Sequence, residues 1–500
     1  KKWLKLGLTA TYTATGDDLK LADSDEGLIN YSLTTLPDIP IYNLDGSYAT
    51  VVREGYTNPN PIALAMMDDI LLDRQKLTGN IFFEVTPIKN LVWHAELGYD
   101  ISSSKGERYK PMVDLGGWVR SSNESNIQKN SSTFWQLKNY VTYSGNIGDK
   151  HHYTAMVGQE CWESSYDFTS VFNSGLPSDE VHNPALGTGT PTINAGFGSS
   201  SMASFFTRLT YNYADRYLGT YTYRYDGSSN FGPENRWAGF HSLATSWRFS
   251  NETFFEPLKN VFSNMKIRAS WGLVGNDNIG GARFVYMPTI NLTGTGYTTG
   301  LDGDITYKGP VYSRYGNPEV TWEVGKKVNV GLDLQLFNSL NLTMDYFHET
   351  RTDIFQERGT IPQYLGTAGT KVFGNLAAMK NQGFDFAADF NKKIGKDWFI
   401  SFKGTFTYAH NEITKYDESP KYAFQSKVGQ SANIPSIMIS DGLFKDPDDV
   451  KNSNQQIGGN LSAGDIKYVN ISKLYGYDDD IVDISDWVWA KNPTVPEIVY

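Results

Sequence analysis

The chain has 500 residues, so the usual prior of one domain per ~150 residues gives about three, with large barrels the known exception. It carries 44 Lys and Arg against 55 Asp and Glu, a net charge of −11. An acidic chain without basic clusters excludes nucleic acid as a partner, because phosphates require a cationic face. No apolar run reaches the ~18 residues of a membrane helix, so helical membrane spans are excluded as well.

Rings are abundant, with 31 Tyr, 27 Phe and 12 Trp, yet the mean hydropathy is −0.42. A membrane barrel combines the two, since rings populate its girdles and lipid face while lumen and loops stay polar. The opening Lys1-Lys2-Trp3-Leu4-Lys5-Leu6 alternates, and Lys5 interrupts any apolar core of a signal peptide. Residue 1 is therefore expected to lie inside a longer chain. The single cysteine, Cys161, has no partner for an internal disulfide and is expected to be half-buried in a strand.

Taken in chain order, alternation of period two predicts strands at 3–13, 75–86, 91–102, 132–144, 151–163, 202–213, 217–226, 237–249, 265–274, 320–337, 340–350, 377–391 and 398–411. In one of the clearest, Val328, Val330, Leu332, Leu334 and Leu336 fall on one face, and Asn329, Gly331, Asp333 and Gln335 on the other. About thirteen strands of ~10 residues match the length a tilted membrane strand needs. The connections sort by length. Short ones fall at 87–89, 145–148, 214–216, 338–339 and 392–396. Long ones span 14–74, 103–131, 164–201, 275–319, 351–376 and everything from 412 onward. The 227–236 loop is compact, and 250–264 reads as a longer, helical turn on the short side. Short turns at one rim and long loops at the other are the layout of outer-membrane barrels. Strands of this number, closed into one barrel, enclose a lumen too wide for side chains to fill, so the polar face must line water and the apolar face must meet lipid.

Residues 204–240 read SFFTRLTYNYADRYLGTYTYRYDGSSNFGPENRWAGF. Further fragments follow: Lys266 to Gly272 (KIRASWG), Asn317-Pro318 with Thr321-Trp322-Glu323, Asp441-Gly442-Leu443-Phe444, and Gly464-Asp465-Ile466-Lys467-Tyr468. In content and order they resemble SusC/RagA-type TonB-dependent outer-membrane transporters across nearly the whole chain. The resemblance implies an all-β, transmembrane, antiparallel up-and-down β-barrel of roughly 22 strands, closed by an N-terminal plug. About thirteen strands are visible here, so residues 1–500 are expected to form one incomplete barrel domain without plug or terminal strands. Its motif residues are Arg224, Asp226, Gly227, Ser228, Ser229 and Phe231, then Asp441, Gly442, Phe444, Gly464 and Asp465. The first set admits a rim loop touching substrate, or a tight turn in which Arg224 pairs with a lumen carboxylate.

The chain departs from the family's carboxylate-rich run after Gly-Asp-Ile-Lys-Tyr. Here Asp478, Asp480 and Asp483 offer oxygen ligands to a structural calcium ion, or form a solvated acidic loop. No cofactor is otherwise implied. Walker, His-Glu-x-x-His and Gly-x-Ser-x-Gly motifs are absent, so the chain is not read as an enzyme and no catalytic residue is assigned. The resemblance implies energy-coupled import of oligosaccharides or, second, peptides, with a SusD-like surface lipoprotein as lid. It also implies TonB-ExbB-ExbD acting through the missing plug, and outer-membrane lipid around a multi-pass barrel. Loop rings Trp118, Tyr166, Tyr297, Tyr307, Tyr312 and Tyr364 are the candidate stacking surfaces for cargo, or else loop-packing rings. A passive porin and a secreted β-rich glycan hydrolase are the rival readings.

Overall fold

The computed structural model describes residues 3–18, 28–50, 58–280, 283–301, 303–362, 370–457, 461–477 and 480–499. The chain divides into two compact units, one of residues 1–141 and 158–203, the other of 142–157 and 204–500.

In the first unit Leu4–Asp18, Asp69–Ile88 and Leu91–Lys110 pair antiparallel in sequence order, with Leu6 opposite Phe83 and Gly79 opposite Tyr99. The outer parts of Glu124–Ile147 and His151–Ser174 belong here too, and each of these strands runs for 24 residues. That is about twice what a tilted strand needs to cross a bilayer. The long connection before Asp69 contributes two short helices, Leu28–Thr34 and Pro61–Met67. Asn60 caps the second by accepting from the Ile62 and Ala63 backbone N–H groups, and Pro61 occupies its first turn. Leu28, Ala63, Leu64, Val113 and Leu115 close a small loop core, pinned by a buried Arg120–Asp68 ion pair at 2.8 Å.

In the second unit Tyr217–Ser228, Trp237–Trp247, Phe262–Asn276, Glu323–Leu336, Leu340–Glu357, Phe373–Ile394 and Trp398–Lys415 form successive antiparallel pairs. Ile498–Val499 pairs with Thr407 and Tyr408. The register puts Ala269, Val330, Tyr346, Phe384 and Tyr408 in one transverse row on one face. The polar face has a row of its own. Arg268 donates to Asp333 at 3.2 Å and to Asp345 at 2.7 and 2.6 Å, Lys266 joins Asp333 at 2.9 Å, and Thr407 donates to Asp385 at 2.8 Å. Asp333 and Asp385 thus meet donors on the adjacent strand, and Asp345 meets Arg268 across the intervening Glu323–Leu336.

All thirteen expected strands are present. They differ from expectation mainly in length, and the excess lies on the long-loop side: 91–102 runs on to Lys110, 132–144 begins at Glu124, and 340–350 continues to Glu357. Where both faces meet water nothing enforces alternation, but the backbone ladder continues. The short turns all contain a left-handed residue: Asn90, Gly148, Ala214 with Asp215, Phe337 with Asn338, and Gly395. Ala214-Asp215 and Phe337-Asn338 have the paired positive φ of the primed turn that matches strand twist. The first short turn falls at Lys89-Asn90 rather than 87–89, because Asn90 supplies the positive φ of 70° and Pro87 remains in the strand. The 250–264 link folds as two 3₁₀ turns, Phe249–Asn251 and Thr253–Leu258. Cys161 is half-buried in a strand. The 275–319 loop carries an unforeseen hairpin, Thr289–Thr299 with Ile305–Arg314.

Candidate functional site

The site is assembled on the polar face, at the outer ends of Leu340–Glu357, Phe373–Ile394 and Trp398–Lys415. Alternation within these strands brings Glu349, Arg351, Met379, Asn381, Ala409, Asn411 and Ile413 to that face. Arg351 organises its charges. Its guanidinium reaches Glu323 at 2.9 Å and Glu349 at 3.0 Å, while Lys327 approaches Glu349 at 3.6 Å and Asn276 donates to Glu323 at 3.3 Å.

The segment after Lys415 folds back onto these strand ends. Gly429 N–H donates to the Ile413 carbonyl, and Ile413 N–H to that of Gln430, both at 2.8 Å. The Asn411 carboxamide oxygen accepts from Ala432 N–H at 2.8 Å and Ser431 Oγ at 3.1 Å. Thr494 and Ala490 tie the 487–497 stretch to Asn433 and Pro435, and Glu497 meets His410 at 2.6 Å.

Two adjoining cavities result, sharing Met379 and Ala432 in their walls. The smaller, about 350 Å³, is mixed in polarity, with Glu349, Arg351, Asn381, Asn411, Asn433 and Glu497 around it beside Met379, Ala409, Val495 and Pro496. The larger, about 570 Å³, has Ile354, Ala377, Met379, Ile413, Ile434 and Pro435 in its walls, with Gln430, Ser431, Ser436, Tyr416, Lys427 and Trp489 also lining it. Both rings there are already engaged. Lys427 Nζ lies 4.5 Å over Tyr416 and donates to its hydroxyl at 3.1 Å, and the Trp489 indole N–H donates to Ser426 at 2.9 Å.

The 224–231 motif makes its contacts within the chain. Arg224 grips Asp226, two residues on, at 3.0 Å and lies over Phe206. The Trp237 ring covers Gly227 so closely that a Cβ there would sit 2.6 Å from it. Ser228 Oγ donates to Asp277 at 2.6 Å, and Asn230 to the Asp277 carbonyl at 2.9 Å. Phe231, fully buried, packs 5.3 Å from Trp322, whose indole donates to the Arg236 carbonyl at 3.0 Å. Ser229 is half-buried in the same turn. The later motif closes another small unit. Ser440–Leu443 pairs with Ile466–Tyr468, Gly442 and Gly464 turn with φ of 99° and 96°, and buried Phe444 receives the Gly464 N–H at 2.8 Å. Asp465 accepts from Ser462 N–H at 2.7 Å, and Asp441 is exposed.

The expected stacking rings have separate surroundings within each unit. Trp118 packs against the Leu28–Leu64 core with Arg120 5.2 Å over its ring. Tyr166 is exposed on its strand. Tyr307 and Tyr312 are exposed on the Ile305–Arg314 strand, Tyr312 stacking on Tyr315 at 5.2 Å. Tyr364 and the Tyr297 side chain lie outside the described residues. Of the three aspartates, Asp478 lies outside them too. Asp480 pairs with Lys473 at 2.5 Å, and Asp483 accepts from the Ser485 N–H and hydroxyl, which hold its carboxyl below the usual range. Among the described residues no three His, Cys, Asp or Glu side chains gather as a metal would require. Asp449 is likewise held low, first by Lys467 at 2.9 Å.

Sequence reading passed over the cavity residues. Strand parity alone places Glu349, Arg351, Asn381 and Asn411 on the polar face. Nothing in the sequence foretells that 429–434 folds back over them.

Fold and surface define an all-β protein of the class that crosses the outer membrane on the strands of an antiparallel up-and-down barrel. The chain belongs to the family described as TonB dependent receptor-like, beta-barrel, whose model matches residues 10–487. It is 28% identical over 394 residues to a TonB-dependent receptor of Formosa agariphila, covering 77% of this chain and 38% of that one. It is 28% identical over 407 residues to the TonB-dependent receptor SusC of Bacteroides thetaiotaomicron, covering 76% and 39%. Its fold matches the RagAB peptide transporter with a TM-score of 0.76 at 21% identity, over 100% of this chain and 54% of that one. The chain thus spans about two fifths of the curated relatives it matches. Those relatives are receptors, not enzymes.

Proposed function

We propose that the protein imports large hydrophilic nutrients, oligosaccharides or peptides, across the outer membrane under TonB-ExbB-ExbD, with a SusD-like surface lipoprotein as its lid. The observation that carries this is the division of the sheet in the second unit. Val330, Tyr346 and Phe384 share the apolar face, while Arg268, Asp333, Asp345 and Asp385 hold a continuous charged row on the other. Hydrophilic cargo passing that row exchanges water hydrogen bonds for fixed ones. The motif set resembling SusC supports oligosaccharides, and the apolar cavity beside Met379 supports peptides.

The test is uptake of a labelled polymer by cells carrying or lacking the gene, repeated with TonB inactivated. Loss of uptake in both mutants, and co-purification of a surface lipoprotein with the full-length protein, is the expected result. Uptake that persists without TonB would leave a passive porin instead.

A further inference from the structure

We infer that the 249–261 link at the short-turn rim is a lipid anchor, seated in the phospholipid headgroup layer with Phe254, Leu258, Val261 and the neighbouring Phe337 at the acyl boundary. Connections on this rim are otherwise short, and the link is its long exception. It already owns a dry core. Phe255, only 3% exposed, packs edge-on against Phe249 at 5.5 Å and meets Phe262 at 6.5 Å. Its neighbour Phe254 is 65% exposed and Phe337 63%, and Leu258 and Val261 are exposed as well. The backbone ties these positions together, since Val261 N–H donates to the Leu258 carbonyl at 3.0 Å and Phe337 N–H to that of Val261 at 2.8 Å. Water gives large apolar side chains nothing for standing outside a core that is within reach, whereas a bilayer boundary does.

Continuity with the apolar face of the strands names lipid as the occupant. Trp247 shares a transverse row with Ile267 and Leu332 on that face, and stacks on Tyr217 at 6.2 Å with 8° between the planes. It also reaches Phe249 at 5.7 Å, so rings run from the strand face into the core of the link without a polar break. The Trp247 indole N–H donates to Glu252 at 3.2 Å, the arrangement of a ring with one wet edge. Charge does not oppose the placement. The ionised groups of 248–261 are Arg248, Glu252, Glu256 and Lys259, which sum to zero. Each is paired: Arg248 with Asp215 at 2.6 Å, Glu252 with Arg216 at 3.0 Å, and Glu256 with Lys259 at 2.7 Å. The anchor depends on the barrel's place in the membrane and not on its cargo.

The experiment uses the full-length protein carrying Cys161→Ser, in nanodiscs of phosphatidylethanolamine and phosphatidylglycerol, which leave both rims open to solvent. Single cysteines are introduced as Phe254→Cys, Phe337→Cys, Leu243→Cys or Leu301→Cys and labelled with a nitrobenzoxadiazole dye, heat-modifiable gel mobility confirming the fold of each. Leu243 reports the strand face and Leu301 the long loop. Dye at 254 and 337 is expected to be quenched by lipids bearing a nitroxide near the headgroup, and bleached by aqueous dithionite several-fold more slowly than dye at 301. Adding Phe254→Asp and Leu258→Asp should bring the dye at 337 to the bleaching rate of 301. Dye at 254 and 337 that bleaches as fast as at 301 and escapes the nitroxide would overturn the inference, leaving the strip to water or to a periplasmic protein. Shielding at 337 that survives the two aspartates in folded protein would overturn it as well.

Discussion

In the strand band of the second unit the large apolar side chains are the exposed ones: Leu243 is 52% open, Tyr346 50% and Val330 44%. In the segments beyond the strand ends the order reverses, with Phe231 at 0%, Val285 and Val320 at 1% and Val482 at 2%. The two regions solve the burial problem with different solvents. The band satisfies its backbone by the ladder and its apolar face by lipid, so it needs no interior. The outer segments stand in water and must build small dry cores of their own, as Phe231 and Trp322 do against Phe240 of the strand Trp237–Trp247.

Truncation should therefore separate the regions. Phe231→Ala is expected to cost about 3–5 kcal/mol locally, as large-to-small changes in closed cores do. Limited proteolysis near 227–236 should accelerate while heat-modifiable mobility is retained. Leu243→Ala removes a side chain that meets lipid rather than protein and should cost only about 1 kcal/mol. Equal proteolytic protection of the two variants would break the contrast. The converse change targets the band. Val330→Arg puts a charge on the lipid face between Ala269 and Tyr346 and should cost ~2–4 kcal/mol in urea unfolding from lipid or detergent. A neutral outcome would mean that Val330 does not face lipid.

The polar face gives the next effect. Arg268→Met leaves Asp345 without its two charge-assisted bonds, while Lys266 still serves Asp333. We expect a loss of about 2 kcal/mol, moderated because the face is wet. Adding Asp345→Asn should restore part of it, since the stranded carboxylate is then removed. A double variant whose losses simply add would show that the pair is not coupled.

How much of this was legible follows from the same division. Lipid on one side forces period-two alternation, so strands such as Glu323–Leu336 and Leu340–Glu357 could be read directly, with Leu332 and Asp333 put on opposite faces as the register has them. Alternation fades beyond the bilayer, and the ladders at 103–110 and 124–131 were invisible although they are paired strand. The outer segments follow contacts distant in sequence. Asn411 holding Ala432 and Trp322 reaching Arg236 span 21 and 86 residues, and no local signal reports them. Loop tyrosines were selected by residue type alone, which says nothing about whether rings converge.

Acid sharpens the comparison by its smallest expected effect. In the outer segment the Asp449 carboxylate accepts from Lys467 Nζ at 2.9 Å and Lys445 N–H at 3.1 Å, and that of Asp483 from the Ser485 N–H at 2.6 Å. Both carboxyls are thereby held below the ordinary value. A depressed folded pKa means that the charged form is the one the fold binds. The contribution is complete above the unfolded carboxylate value of about 4 and is lost as pH falls through the lower folded values. Hydrogen exchange across 440–490 should therefore quicken below about pH 4, ahead of the strand band, whose ladder of backbone hydrogen bonds does not titrate. Exposure to solvent and salt keeps the change modest. If the segment's protection relative to the band stays flat down to about pH 3, the carboxylate contacts at Asp449 and Asp483 contribute nothing to holding the outer segment together.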